Sequence, residues 1–440
     1  MKAKLSTIVV TAVLLGLILS ACTPAATPTP VPTAAPVKAT EVPATPVPVE
    51  KVLKVGSLQA LTGVRLRIED ERKKAIQMAL DEIGNKIGDY KIEMVWMDHE
   101  NNPEVAARVF TQGITRDGVQ AVLWSSPSTI AVACMEVAAQ YKIPCFLSGA
   151  GTQVVNDKWK ADPEKYSYWG KMWPSPISLA PLYAASIEDA INRGLWTPKN
   201  KAIALSAMDQ DWGRSYVAAM ADQMSKVGWK VASKDFFSLG EQDFYPLLSK
   251  YVELGVDLCF VVGESPVAEA FLKQAREVGL KALIIMDSLS YIADWYKTTG
   301  EAGDYVLELG SPPWSSDASK AVAQKMKDVY GYDASPVSTG MLYSVTKCFI
   351  KLAERTLEKY GELNSETLYK TSVEELYTGK LTCDCIMDMT WKWVPETMPD
   401  LMVGEGYFTF PLAQYFGGKP VYLWPEAVRK ADLKVPAWMQ

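Results

Sequence analysis

The stretch Ser125-Ser126-Pro127-Ser128-Thr129 places hydroxyls and backbone N–H groups where an anion could be held. It follows Ala121-Val122-Leu123-Trp124, an apolar run with the length and composition of a buried strand. It precedes Ile130 to Gln140, whose composition is helical. Ser126 therefore reads as an N-cap, with Pro127 at the first helical position, where its missing N–H costs nothing. A helix start leaves N–H groups without intrahelical partners and carries the positive end of the dipole. Taken alone, the stretch is an ordinary capped helix. A second strand-like run, Ile143 to Leu147, empties into Ser148-Gly149-Ala150-Gly151-Thr152. In a parallel sheet these two loops leave the same edge, side by side, and make one site.

Other side chains invite chemistry and do not support it. The single histidine, His99, sits in a turn before a helix and reads as a solvated turn residue, not a general base. Gly149-Ala150-Gly151 lacks the third glycine and the position of a dinucleotide fingerprint. Ser344-Val345-Thr346-Lys347 matches the Ser-x-x-Lys pattern of penicillin-recognising enzymes but falls inside a helical run without the companion motifs. No enzymatic activity is expected, and no cofactor.

The elements that must position the site alternate. Strands are predicted at 54–58, 91–97, 120–124 and 143–147, with helices at 69–83, 103–116 and 128–140 between them. The pattern restarts with a helix at 178–193. Strands at 202–206, 230–235, 257–262 and 282–286 then alternate with helices at 213–227, 243–254 and 266–278. Such alternation means an α/β protein with two mainly parallel sheets flanked by helices. Ligands in these sheets gather beyond the carboxyl ends of the strands. The loops to watch in the second unit are 206–212, 263–266 and 287–291, which carry Trp212, Glu264 and Asp287. Each has a plainer alternative: Trp212 in the core, Glu264 in solvent, Asp287 capping the helix after it. Two more helices are expected near 317–330 and 338–359, before an irregular tail rich in Pro and Trp.

At 440 residues the chain is long enough for two or three domains with substantial cores. A formal charge of −6, with no long basic run, argues against a nucleic-acid partner. Lys2 and Lys4, the apolar run Ile8 to Ile18, and Leu19-Ser20-Ala21 before Cys22 read as a lipoprotein signal, with Cys22 the lipidated residue. The apolar run is short for a spanning helix. Residues 23–50 hold eight prolines among Thr, Ala and Val and read as an extended tether. Its reach is on the order of 85 Å at about 3.1 Å per residue. Cys134, Cys145, Cys259 and Cys348 lie in apolar runs and read as buried thiols. Cys383 and Cys385 are too close for a comfortable mutual disulfide, and no spacing suits a metal.

In order and spacing, several of these features resemble the substrate-binding proteins of ABC transporters for branched-chain amino acids and related small molecules. They are Leu61-Thr62-Gly63, Asp98 before Asn102-Pro103, the paired small-residue loops, Asp211-Trp212-Gly213, Gln274-Ala275-Arg276-Glu277-Val278-Gly279 and Val421-Tyr422-Leu423-Trp424-Pro425. The resemblance covers Val52 to Trp438 and implies a two-lobed, type I periplasmic-binding-protein fold with the ligand cleft between the lobes. With the signal peptide at 1–21 and the tether at 22–50 set aside, it implies one lobe from 51–175 plus 310–395 and a second from 176–309 plus 396–440. Crossings near 174–178, 308–312 and after 395 would form the hinge.

The resemblance further implies that Ser126, the Ala150 backbone and Thr152 hold a ligand carboxylate, that Asp287 meets an ammonium group and that Trp212 covers the ligand. Glu264 stands where relatives carry an aromatic residue, and Arg65, Arg67 and Ile68 make the first loop more basic than theirs. The implied protein is an extracytoplasmic, lipid-anchored monomer that passes a small amino-acid-like ligand to an ABC permease. Aromatic carboxylates, short amides and a sensory role without transport are the alternatives.

Overall fold

The computed structural model describes residues 50–439 except 63–64, 126, 265–266, 292–294, 311–313, 315 and 332, and only the backbone of Arg67. Ser126, the signal segment, Cys22 and the tether up to residue 49 lie outside the described residues, as does part of the crossing expected at 308–312.

Two sheets carry the architecture. The first is built from β1 (Lys51–Gln59), β2 (Lys86–Ile87), β3 (Tyr90–Asp98), β4 (Ala121–Trp124), β5 (Cys145–Leu147) and β6 (Trp169–Lys171). Its order is β2-β3-β1-β4-β5-β6, parallel except for the short β2–β3 pair. The second contains β7 (Ala202–Met208), β8 (Lys230–Phe237), β9 (Leu258–Val262), β10 (Leu283–Asp287) and β11 (Leu307–Leu309). After an antiparallel ribbon of β12 (Cys383–Cys385) and β13 (Met389–Trp391), the chain returns to that sheet with β14 (Leu412–Phe416) and β15 (Lys419–Trp424). The order there is β15-β14-β11-β10-β9-β7-β8. Every residue of β4, β9 and β10 is buried, as continuous apolar runs covered by helices on both faces require.

The chain thus passes between sheets three times: after β6, after β11, and between β13 and β14. Two helices that follow β11 return to the first sheet. Met326 and Tyr343 pack with Ala75, Met78 and Ala79 of the helix Leu66–Asp81, and Phe349 lies 5.7 Å from Phe146 of β5, ring to ring. Among the described residues, no helix is long and apolar enough to cross a membrane.

Three local expectations need correction. Pro127 has φ −56° and ψ 141°, which is extended, so the helix begins one residue later, at Ser128. His99 is fully buried, because the turn folds back on β1 through its N–H to the Gln59 carbonyl. Its Nδ1 accepts the Asn101 N–H at 3.0 Å, and burial, with Arg65 nearby, lowers its pKa to about 4. Cys348, read as a buried thiol, forms a disulfide with Cys383. The helix Met341–Tyr360 packs on the β12–β13 ribbon and brings the two Cα atoms to 5.2 Å, inside the range a disulfide spans.

Candidate functional site

Six loops at the carboxyl ends of strands converge between the two sheets, around a cavity of about 60 Å³. From the first sheet come Arg65 after β1, Ser125 and Ser128 after β4, and Ser148 to Gly151 after β5. From the second come Gln210 and Trp212 after β7, Glu264 after β9 and Tyr291 after β10. Two further wall residues, Arg72 and Trp173, stand on the helix Leu66–Asp81 and just past β6.

The helix Leu66–Asp81 starts where it does because Asp98, at the end of β3, holds the loop before it. The Leu61 N–H donates to Oδ1 at 3.0 Å and the Thr62 hydroxyl to Oδ2 at 3.1 Å. Arg65, Glu69 and Arg72 then share one helix face at i, i+4 and i+7. Arg72 donates to Glu69 at 2.8 Å, and Glu69 is completely buried. Arg65 reaches across the cleft to Glu264 at 2.5 Å, joining the two halves of the site. Burial alone would depress the Arg65 guanidinium; Glu264 and Glu69 outweigh it and hold the pKa above its ordinary value. Among the described residues, Arg72 Nε, Glu69 Oε2 and Ser148 Oγ are buried without a hydrogen-bond partner. Such groups are costly unless something polar meets them.

Of the residues singled out from the sequence, Ala150, Trp212 and Glu264 line the cavity. Ala150 sits at φ +62°, an uncommon conformation for a residue with a side chain. Trp212 opens the helix Asp211–Lys226, where a side chain at Gly213 would collide with the Met208 carbonyl, so only glycine lets that helix start so close to β7. Thr152 and Asp287 are not wall residues. The Thr152 hydroxyl caps the helix Gln153–Ala161 and lies 3.0 Å from the Ser215 hydroxyl on the helix that follows β7, tying one half of the site to the other. Asp287 ends β10 with its side chain turned onto the helix Pro176–Asn192. There it accepts from Tyr183 at 2.6 Å and from Ser288 at 2.9 Å, and burial raises its pKa. Arg72, Trp173, Val337 and Ser338 also line the cavity and were not singled out from the sequence. The Arg65-Glu69-Arg72 spacing was the available signal for the first of them.

The chain matches the periplasmic binding protein family over residues 52–379. It is 25% identical over 239 residues to the Leu/Ile/Val-binding protein homolog 8 of Brucella abortus, covering 53% of this chain and 57% of that one. The match thus spans little more than half the length of that curated relative. An ABC transporter substrate-binding protein from Sphaerobacter thermophilus superposes with a TM-score of 0.70 at 18% identity, over 88% of this chain and 99% of the other. A solute-binding protein of an ABC transporter from Rhodopseudomonas palustris, in complex with 3,4-dihydroxybenzoic acid, superposes with a TM-score of 0.68 at 18% identity, again over 88% and 99%. With the family match covering most of the chain and two helix-flanked, mainly parallel sheets enclosing a cleft, this chain belongs to the periplasmic binding protein family and has its type I fold.

Proposed function

We propose that this protein is a lipid-anchored, extracytoplasmic solute-binding protein that closes on a small amino-acid-like zwitterion and delivers it to an ABC permease. The observation that carries the ligand class is the Arg65–Glu264 ion pair across the cavity. A zwitterion can replace that pair end for end, its carboxylate taking the arginine side and its ammonium taking Glu264. Arg72 Nε and Ser148 Oγ, buried and unpaired, are donors for the carboxylate, and the loop at Ala150 lines the same cavity; Ser126, outside the described residues, is the further hydroxyl donor in this reading. The ammonium partner in this reading is Glu264, and Asp287 supports the wall from behind. Trp212 covers the ligand. Because only contacts made in the closed state shift the equilibrium toward it, a ligand that bridges both halves drives closure.

A second reading, an aromatic carboxylate, is favoured by the three rings in the wall, Trp173, Trp212 and Tyr291, and by the ligand of the Rhodopseudomonas relative. A thermal-shift screen separates the two, since ligand bound to the native state raises the melting temperature. The expected hits are amino acids. Hits confined to aromatic acids would favour the second reading, and hits among neither would count against both.

Anchoring has its own test. Cys22→Ser is expected to release the protein from membranes while leaving ligand affinity unchanged, as fractionation and calorimetry would show. A variant that stays with the membrane after signal cleavage would contradict the lipoprotein reading.

A further inference from the structure

Lys171, the last residue of β6, is completely buried and does not line the cavity. Its ammonium lies 2.9 Å from Asp400 Oδ1 and donates to Asn156 Oδ1 at 2.6 Å and to the Ala150 carbonyl at 3.2 Å. The other Asp400 oxygen accepts from Asn156 Nδ2 at 2.8 Å and from the Ser175 N–H at 2.7 Å. These partners come from distant parts of the chain. Ala150 belongs to the cavity loop. Ser175 opens the helix that carries the chain from the first sheet toward the second, and Asp400 sits in the return passage between β13 and β14.

A buried ion pair is a poor stabiliser compared with apolar side chains of similar size, and its best-attested use is to fix one arrangement among several. Here the arrangement is that of the loop. A ligand carboxylate needs N–H groups presented and carbonyl oxygens withheld. The Ala150 carbonyl is engaged by the ammonium and by the Thr152 N–H at 2.8 Å, and the backbone at Ala150 takes a positive φ to allow it. We propose that Lys171, paired with Asp400, is the positioning residue of the ligand site: it holds the loop Gly149–Gly151 in its binding geometry and couples that loop to two of the three passages between the sheets. The proposal rests on reading this cavity as the ligand site.

Hydrogen exchange tests it without any ligand. In Lys171→Met/Asp400→Leu both charges are replaced by apolar side chains, which avoids leaving one of them buried alone. Amides of residues 148–154 are expected to exchange about tenfold faster or more, while those of β1 and β9 stay within about twofold of wild type. Unchanged protection at 148–154 would overturn the proposal, and so would an equal loss of protection in both sheets, which is what a merely structural pair produces. Should the double variant fail to fold, Lys171→Met/Asp400→Asn, which also leaves no buried charge and retains an oxygen acceptor for the Ser175 N–H, is read against the same two criteria. Because no ligand is involved, a failed ligand screen and a failure here remain distinguishable.

Discussion

Wild-type protein is expected to lose on the order of 4 kcal/mol of stability between about pH 4.5 and pH 8.5 that Glu308→Gln retains. Glu308 stands on β11, and only 2% of it is exposed. Its carboxyl accepts from the Ser290 N–H at 3.1 Å and from the Tyr415 hydroxyl at 2.8 Å. Burial pushes its pKa from 4.5 up to about 8, with Asp287 adding to the rise against those hydrogen bonds. In the unfolded chain the group ionises near its ordinary value, so folded protein binds the extra proton between the two. The stabilising contribution is complete below about pH 4.5 and is lost as the pH rises through about 8. The glutamine oxygen accepts from the Ser290 N–H, its NH2 can donate to the Tyr415 hydroxyl oxygen, and it has no proton to lose. Urea titrations of both proteins across that range give the difference, and parallel curves would contradict this account of Glu308. The effect reaches the site, because Ser290 precedes the wall residue Tyr291.

Cys348→Ala/Cys383→Ala is expected to cost about 4 kcal/mol at 25 °C, the chain-entropy value for a loop of this length. The two residues are 35 apart in sequence and almost fully buried, joining the helix Met341–Tyr360 to the ribbon β12–β13. Cys385 lies on the same face of that ribbon, and burial holds its thiol up at about 12. It is therefore a poor substitute partner, since the thiolate is the reactive form. Urea midpoints of oxidised wild type and the double variant measure the cost. A loss below about 1 kcal/mol would mean that packing alone holds the ribbon to the helix.

The alternation of apolar runs and helical stretches was enough to read both parallel sheets, because β4, β9 and β10 are continuous apolar strands bounded by polar loops. It did not reach β6, β11, β14 or β15. Leu307 pairs with Gln414 across more than a hundred residues, a long-range register that no local pattern encodes. The loops around the cavity were legible as loops, since strand ends place them. Which way a side chain leaves a strand end was not. Asp287 turns onto Tyr183 because the helix Pro176–Asn192 packs there, a tertiary fact. Arg72 falls inside the helix expected at 69–83, but nothing in that stretch says that it is buried against Glu69 at the cavity wall. The disulfide was hidden for a similar reason: nothing in the sequence around Cys348 or Cys383 says that the helix is laid on the ribbon.

The central claim is that a zwitterion replaces the Arg65–Glu264 pair. Calorimetry with L-leucine and its desamino analogue, on wild type and on Glu264→Gln, tests it most directly. Removing the charge of Glu264 should leave the carboxylate side intact and take away the ammonium partner. Wild type is expected to prefer the amino acid by about 100-fold, or about 2.7 kcal/mol, and Glu264→Gln should erase most of that gap by weakening the amino acid alone. Equal binding of the two ligands by wild type, or a gap that survives in Glu264→Gln, would contradict the account.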